Sequence, residues 1–279
     1  MPQRVVAVLG HGVVPAQTPV LRADDLGVLR GDGIFETMHV RDGRAWLIED
    51  HLARMGRSAA LIDLVLPPRE ALLELAGQAL AEWPDGVEGA LRLVCTRGGE
   101  DGGPVTAFAT LAPLGAGQIR GRRDGVAVAT ASLGITADAR VAAPWLLGGA
   151  KTLSYAVNMA SQRWAGGQGV DDVLWVSSDG YALEAPTSTL VWLAGGTLWT
   201  VPAASTGILP GITARALLER AGELGYEAGE RMIRPAELTA VEAAWLASSV
   251  RGLAEIRTLD GKPLNQPADT ARMLSLLGF

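Results

Sequence analysis

Val-Leu-Trp-Val-Ser-Ser-Asp-Gly-Tyr-Ala-Leu-Glu (173–184) and Thr-Leu-Val-Trp-Leu-Ala-Gly-Gly-Thr-Leu-Trp-Thr-Val (189–201) decide the fold class. In the first stretch Val173–Val176 and Tyr181–Glu184 flank Ser-Asp-Gly, and in the second Thr189–Leu193 and Leu198–Val201 flank Gly-Gly. A short apolar run, a turn rich in Gly or Asp, and a second apolar run make the pattern of a hairpin, so two hairpins are predicted in succession. Working outward, 4–14 and 33–47 read as hairpin strands with Arg-Asp-Gly-Arg (41–44) as a turn, and 90–97, 105–112, 126–133 and 243–249 as further strands. Helical spacing marks Glu49 to Ile62, Arg69 to Trp83 and Ile212 to Leu224. Hairpins dominate and βαβ alternation is missing, so the predicted class is α+β with mostly antiparallel sheet. The polar, Gly-rich stretch before residue 126 has no periodicity and is read as a linker. The predicted organisation is a small N-terminal domain (1–113), a linker (114–125) and a larger domain (126–279).

With 279 residues, 48% hydrophobic and 19% charged, the chain has the composition of a globular protein, and no apolar run reaches the length of a membrane span. The N-terminus carries one Arg before a short apolar stretch, too little for a secretory signal, so the cytoplasm is the expected location. Cys95 is the single cysteine, which leaves no intrachain disulfide to form. A net charge of −6 with scattered arginines argues against a nucleic-acid partner. His11, His39 and His51 lack a paired metal spacing, so no metal is expected.

Of 24 basic residues only Lys151 and Lys262 are lysines. Lys262 sits in Leu259-Asp260-Gly261-Lys262-Pro263, a turn sequence where a solvated ammonium is ordinary. Lys151 follows residues 143–150, which carry no charge, and opens a segment whose apolar residues Leu153, Ala156, Val157, Ala160 and Trp164 recur at helical spacing. Desolvation disfavours an ammonium, and the free amine forms a Schiff base with an aldehyde. Three further features are candidates. Leu209-Pro210-Gly211-Ile212-Thr213 leads a turn into a helix, whose first N–H groups suit a phosphate. Glu184 ends an apolar strand, and Arg54 lies on a predicted helix. Each alone has a plain structural reading: an ordinary helix start, a solvated strand end, a surface cation.

Their order along the chain is more specific. Arg30-Gly31-Asp32-Gly33-Ile34-Phe35-Glu36-Thr37, His51-Leu52-Ala53-Arg54, Leu93-Val94-Cys95-Thr96-Arg97-Gly98, Ala150-Lys151-Thr152-Leu153-Ser154-Tyr155, Asp179-Gly180-Tyr181-Ala182-Leu183-Glu184, the turn at 209–213 and Ser248-Ser249-Val250-Arg251 follow one another. The chain thereby resembles the class IV aminotransferases, the pyridoxal-phosphate enzymes of fold type IV. These include D-amino acid transaminases, branched-chain transaminases and 4-amino-4-deoxychorismate lyases. The residues from Lys151 to Asn158 look most like the actinobacterial lyases.

The resemblance implies pyridoxal 5'-phosphate as cofactor, with Lys151 as the lysine that holds it as an imine and carries protons. It implies Glu184 against the pyridine nitrogen and Arg54 on the phosphate, together with the N–H groups of Ile212 and Thr213 and the hydroxyl of Ser249 or Ser248. The family often has Asn where this chain has Thr189, after Thr187 and Ser188, so which of the three bonds near the cofactor ring stays open. The family implies a homodimer whose second subunit completes the pocket. For a small amino substrate, Phe35, Arg30 and Arg97 are candidate contacts, with Arg140 and Arg251 as further cations. After Thr96-Arg97-Gly98 the chain reads Gly-Glu-Asp-Gly-Gly-Pro (99–104), without the Arg-x-His carboxylate trap of the D-amino acid transaminases. The expected reaction is therefore release of pyruvate and p-aminobenzoate from 4-amino-4-deoxychorismate, with D-amino acid or branched-chain-like transamination, or both activities, as the alternative. A catalytically silent relative would have lost Lys151 or Glu184, and both are present. Tyr155 shares the predicted helix face of Lys151, Asp32 is read as a turn residue and Cys95 as buried filler.

Overall fold

Ile34, Glu36, Met38 and Val40, alternate residues of the strand Gly33–Arg41, are fully buried. Alternate side chains of a strand point to one face, so this face is covered. In the computed structural model, which describes residues 2–266 and 269–279, the cover is the helices Ile48–Leu61 and Arg69–Ala81, through Leu52, Met55, Ala59, Leu72, Leu75 and Ala76. The sheet beneath has strand order Gly12–Val14, Val5–Val8, Thr106–Pro113, Gly89–Thr96, Gly33–Arg41, Arg44–Ala45, every pair antiparallel. Asp42 and Gly43 take φ of 49° and 68° in the turn to Arg44, as a two-residue hairpin demands. Cys95 is buried in this core, and burial pushes its thiol up to about 12, so it packs as an inert apolar group.

The chain divides into two units. The first holds residues up to Gly115 together with Ala150–Tyr155, and the second holds Ala116–Gly149 and Ala156–Phe279. The return of 150–155 to the first unit departs from the expected boundaries. Thr152 bridges Ile34 in antiparallel register, the Phe35 N–H donates to the Lys151 carbonyl (3.1 Å), and the Leu153 N–H donates to the Gly33 carbonyl (2.8 Å). Lys151 is thus on an extended segment, and the helix expected to contain it begins only at Ala156 and runs to Gly167. Pairing with a strand edge satisfies the backbone here and overrides the helical spacing of the side chains.

The stretch 114–125 contains a helix, Ala116–Asp124, that belongs to the second unit. Its glycines serve packing and helix termination. Gly121 is a close-packing position, since a Cβ there would stand 3.1 Å from Arg251 Cδ, and Gly125, with φ +75°, ends the helix.

The second unit is built on a nine-stranded sheet, ordered Glu227–Glu230, Thr197–Thr200, Ser188–Ala194, Ala243–Ser248, Gly252–Leu259, Val126–Ser132, Asp172–Val176, with Glu184–Ala185 and Lys262–Pro263 as short side strands. The Gly195-Gly196 hairpin forms as read. The hairpin at Ser-Asp-Gly is reduced: its second arm makes a bridge, Ala182 to Val176, and a two-residue strand at Glu184. Val126–Ser132 pairs in parallel with Asp172–Val176 and with Gly252–Leu259, and Thr197–Thr200 with Glu227–Glu230. Two helical crossovers between parallel strands, Val126–Ser132 to Asp172–Val176 and Thr197–Thr200 to Glu227–Glu230, therefore exist that alternation alone did not reveal, because short helical turns at 139–142 and 144–146 in the first and at 203–206 in the second precede the main helix. The architecture is α+β with mostly antiparallel sheet.

Candidate active site

Strand register decides where the lysine points. Thr152 opposes Ile34 on the helix-covered face, so its neighbour Lys151 projects to the other face, with Phe35. Lys151 Nζ lies 4.4 Å from the Phe35 ring centroid, 5.3 Å from that of Tyr155, and 3.4 Å from the Tyr155 hydroxyl. The two rings meet edge to face at 5.1 Å. Backbone anchoring comes from buried Ser58, whose Oγ accepts from the Lys151 N–H at 3.0 Å. Tyr155 thus meets Lys151, though through a turn and not along a helix.

On the helix side of the same strand, Glu36 accepts from Arg54 Nε (2.8 Å) and Nη2 (2.7 Å) and meets His51 Nδ1 at 2.6 Å. Burial opposes ionisation of Glu36, but the charge and hydrogen bonds of Arg54 and His51 outweigh it and hold the carboxyl at about 2. Burial is the largest influence on His51 and lowers its pKa; the cations of Arg54 and Lys151 add to this against the pull of Glu36. Arg54 is therefore a buried cation already bound along one edge to a carboxylate.

The second unit assembles its own cluster. Glu184 accepts from Arg140 Nη1 at 2.7 Å and from the Leu209 N–H at 3.1 Å, and the Arg140 guanidinium lies over Trp175. Leu209 opens the Pro210-Gly211 turn, and the helix Ile212–Glu219 starts directly behind it. A Cβ on Gly211 would collide with Thr189 Oγ1, so the backbone comes closer there than any other residue allows. Thr213 is 1% exposed and its hydroxyl has no hydrogen-bond partner among the described residues. A buried hydroxyl in the first helical turn, where amides also lack intrahelical acceptors, fits an anion. Ser248 ends the strand Ala243–Ser248, and Ser249 follows in the turn.

Among the cations considered for a substrate, Arg97 clasps Asp32 through Nε and Nη2 and also bonds the Ile62 and Asp63 carbonyls. Arg251 joins Asp172 (3.1 Å) and Ser188 (2.8 Å). These two and Arg140 are engaged by acids, whereas Arg30 is exposed at the end of the turn of helix Leu26–Leu29.

Residues 33–259 match the model of the amino-transferase class IV family. The chain belongs to the class IV aminotransferases. Members of this family use pyridoxal phosphate. The chain is 44% identical over 270 residues, 93% of each sequence, to a Mycobacterium tuberculosis protein named bifunctional aminodeoxychorismate lyase / D-amino acid transaminase. It also resembles two solved structures of a hypothetical aminotransferase from Mycobacterium tuberculosis. The form described as bound to pyridoxal phosphate has 43% identity and a TM-score of 0.94 over 99% of this chain and 97% of that one. The form described as bound to α-ketoglutarate and pyridoxamine phosphate has the same identity and TM-score over 98% and 97%. Each unit carries groups that suit such a cofactor: the first an amine held on a strand edge, the second a buried carboxylate and a buried hydroxyl at a helix start.

Sequence reasoning missed Glu36, His51, Ser58 and the pairing of Arg140 with Glu184. Glu36 had left a signal, a carboxylate among Ile34, Met38 and Val40 on an apolar strand face, which requires a buried cation. Arg54 and His51, three apart on the next helix, supply it.

Proposed function

We propose that the protein is a pyridoxal-phosphate-dependent 4-amino-4-deoxychorismate lyase that releases pyruvate and p-aminobenzoate, a folate precursor. When bound, the cofactor supplies an electron sink for a carbanion next to the substrate amine. Lys151 would hold the cofactor covalently and afterwards move the proton, with the Tyr155 hydroxyl beside its amine to orient it. Glu184 would keep the cofactor ring nitrogen protonated, and Arg140 and the Leu209 amide fix its carboxylate. Arg54, the Ile212 and Thr213 amides, the Thr213 hydroxyl and Ser248 or Ser249 would hold the phosphate.

The observation that favours the lyase is the loop after Arg97. It carries Glu100 and Asp101 but no cation, and Arg97 itself is closed by Asp32, so nothing there is suited to clasp the carboxylate of an α-amino acid. A second reading, D-amino acid transamination in the same pocket, is supported by the double name of the 44% identical relative. Following p-aminobenzoate and keto acid side by side tests both. The lyase forms p-aminobenzoate and pyruvate in equal amounts with no keto acid added. Turnover of D-alanine or D-glutamate without p-aminobenzoate would overturn it.

We also infer a cytoplasmic homodimer. Trp145 is 80% exposed, and Val141, Val157 and Trp164 are exposed in the same unit, an apolar surface suited to a partner. No helix among the described residues is long and apolar enough to cross a membrane. Light scattering should give twice the chain mass of 29.1 kDa.

A further inference from the structure

We propose that Ser58 is a positioning residue: with Arg54, on the same helix, it fixes the distance between the Lys151 backbone and the cofactor phosphate, and so sets how tightly the lysine captures the cofactor aldehyde. This rests on the roles of Lys151 and Arg54 proposed above, and on contacts inside the first unit alone. Ser58 and Arg54 both lie on the buried side of the helix Ile48–Leu61, at 0% and 4% exposure. Residues four apart share one helix face, about 6 Å from each other along the axis. Leu52, Met55 and Ala59 of the same helix pack into the core, which holds that spacing rigid.

The Ser58 contact stands where strand pairing alone would have put another. The Phe35 N–H donates to the Lys151 carbonyl, and residues paired in this way along an antiparallel ladder exchange both bonds. The Lys151 N–H would then return to the Phe35 carbonyl. It donates instead to Ser58 Oγ at 3.0 Å, so the ladder ends at the lysine and its backbone is handed to the helix. Arg54, one turn earlier on that helix, is itself fixed by two bonds to Glu36. The backbone that carries the amine and the arginine that meets the phosphate are thus both set by a single rigid element.

Cofactor chemistry gives this spacing a measurable consequence. Pyridoxal phosphate is held at its phosphate and also, through its aldehyde, by the lysine. Pyridoxamine phosphate carries an amine where the aldehyde was and forms no bond to the lysine. The gain from the second attachment is an effective concentration, which falls when the lysine backbone is no longer held at the right distance. Loosening Lys151 therefore weakens capture of the aldehyde and leaves the hold on the phosphate unchanged.

The test takes full-length wild type, Ser58→Ala and Arg54→Lys, frees each of cofactor, and measures pyridoxal phosphate and pyridoxamine phosphate binding by equilibrium dialysis. Ser58→Ala should bind pyridoxal phosphate about tenfold more weakly and pyridoxamine phosphate within about twofold of wild type. Arg54→Lys should weaken both forms alike, since both carry the phosphate. An unchanged ratio of the two affinities in Ser58→Ala, or the same split in Arg54→Lys, overturns the proposal. Both ligands are read on the same variant, so a general loss of stability moves them together and does not produce the expected split. Should Ser58→Ala not fold, Ser58→Cys, which nearly keeps the volume but accepts hydrogen bonds weakly, takes its place. Borohydride trapping separates this role from the reading beneath it. Wild type that takes no label at Lys151 sinks the lysine assignment itself, whereas labelled wild type with an unchanged ratio in Ser58→Ala sinks only the role of Ser58.

Discussion

Glu36 in the first unit and Glu184 in the second each face an arginine, and the two pairs are built differently. The Glu36 side chain is 0% exposed and is met by two nitrogens of Arg54 and by His51. Glu184 is 11% exposed, beside an Arg140 that is 17% exposed, and takes one guanidinium nitrogen and one backbone amide. A carboxylate enclosed by a forked guanidinium and a third donor is a joint, because removing any member strands a buried charge. A carboxylate held at a partly open edge is positioned without being sealed, as a group that meets a ligand must be. Burial of a charge therefore does not by itself mark chemistry; how completely its partners surround it separates the two cases.

The largest effect belongs to the residue outside both pairs. Lys151→Ala should lower turnover at least about 10³-fold, since covalent attachment and proton transfer are lost together. Borohydride treatment of the wild type should fix pyridoxal phosphate at Lys151, read by mass spectrometry of the digest. A label on Lys262 would overturn the assignment.

Breaking the closed pair comes next. Glu36→Gln leaves Arg54 buried with a neutral partner and should cost about 3–5 kcal/mol of stability, measured by the denaturation midpoint. The pair also sets an acid limit. His51 has a lowered pKa in the folded state, so the unfolded chain takes up its proton first and stability declines as pH falls through about 6.5. Glu36, held at about 2, contributes stability that is complete above its ordinary carboxylate value near 4.5 and is lost as pH falls towards 2. Glu36→Gln should remove the second decline, and a variant that keeps it refutes the assignment of that decline to Glu36.

Opening the other pair should read differently. Glu184→Gln is expected to keep its fold and its cofactor yet turn over about 100-fold more slowly, roughly 3 kcal/mol of transition-state stabilisation. If Glu36→Gln and Glu184→Gln gave the same phenotype, the distinction between joint and working group would be lost. The smallest effect is that of Thr213→Val, which removes one buried hydroxyl donor and should weaken pyridoxal phosphate binding by about tenfold in equilibrium dialysis. Unchanged affinity would show that this hydroxyl does not serve the phosphate.

Local patterns carried much of this molecule. The helices over 48–61 and 69–81, the Asp42-Gly43 and Gly195-Gly196 turns, and the family blocks that single out Lys151 and Glu184 could all be read from spacing and residue type, because turn chemistry and helix periodicity act over a few residues. The tertiary structure alone decided the rest. Lys151 left its predicted helix because the edge of a strand more than a hundred residues earlier offered its segment backbone partners. Arg54 met Glu36, Arg140 met Glu184 and Ser58 met the Lys151 N–H through strand register and helix packing. A register assigns neighbours across long loops, and a change of one residue would turn every side chain to the other face, so no local window of sequence contains that information.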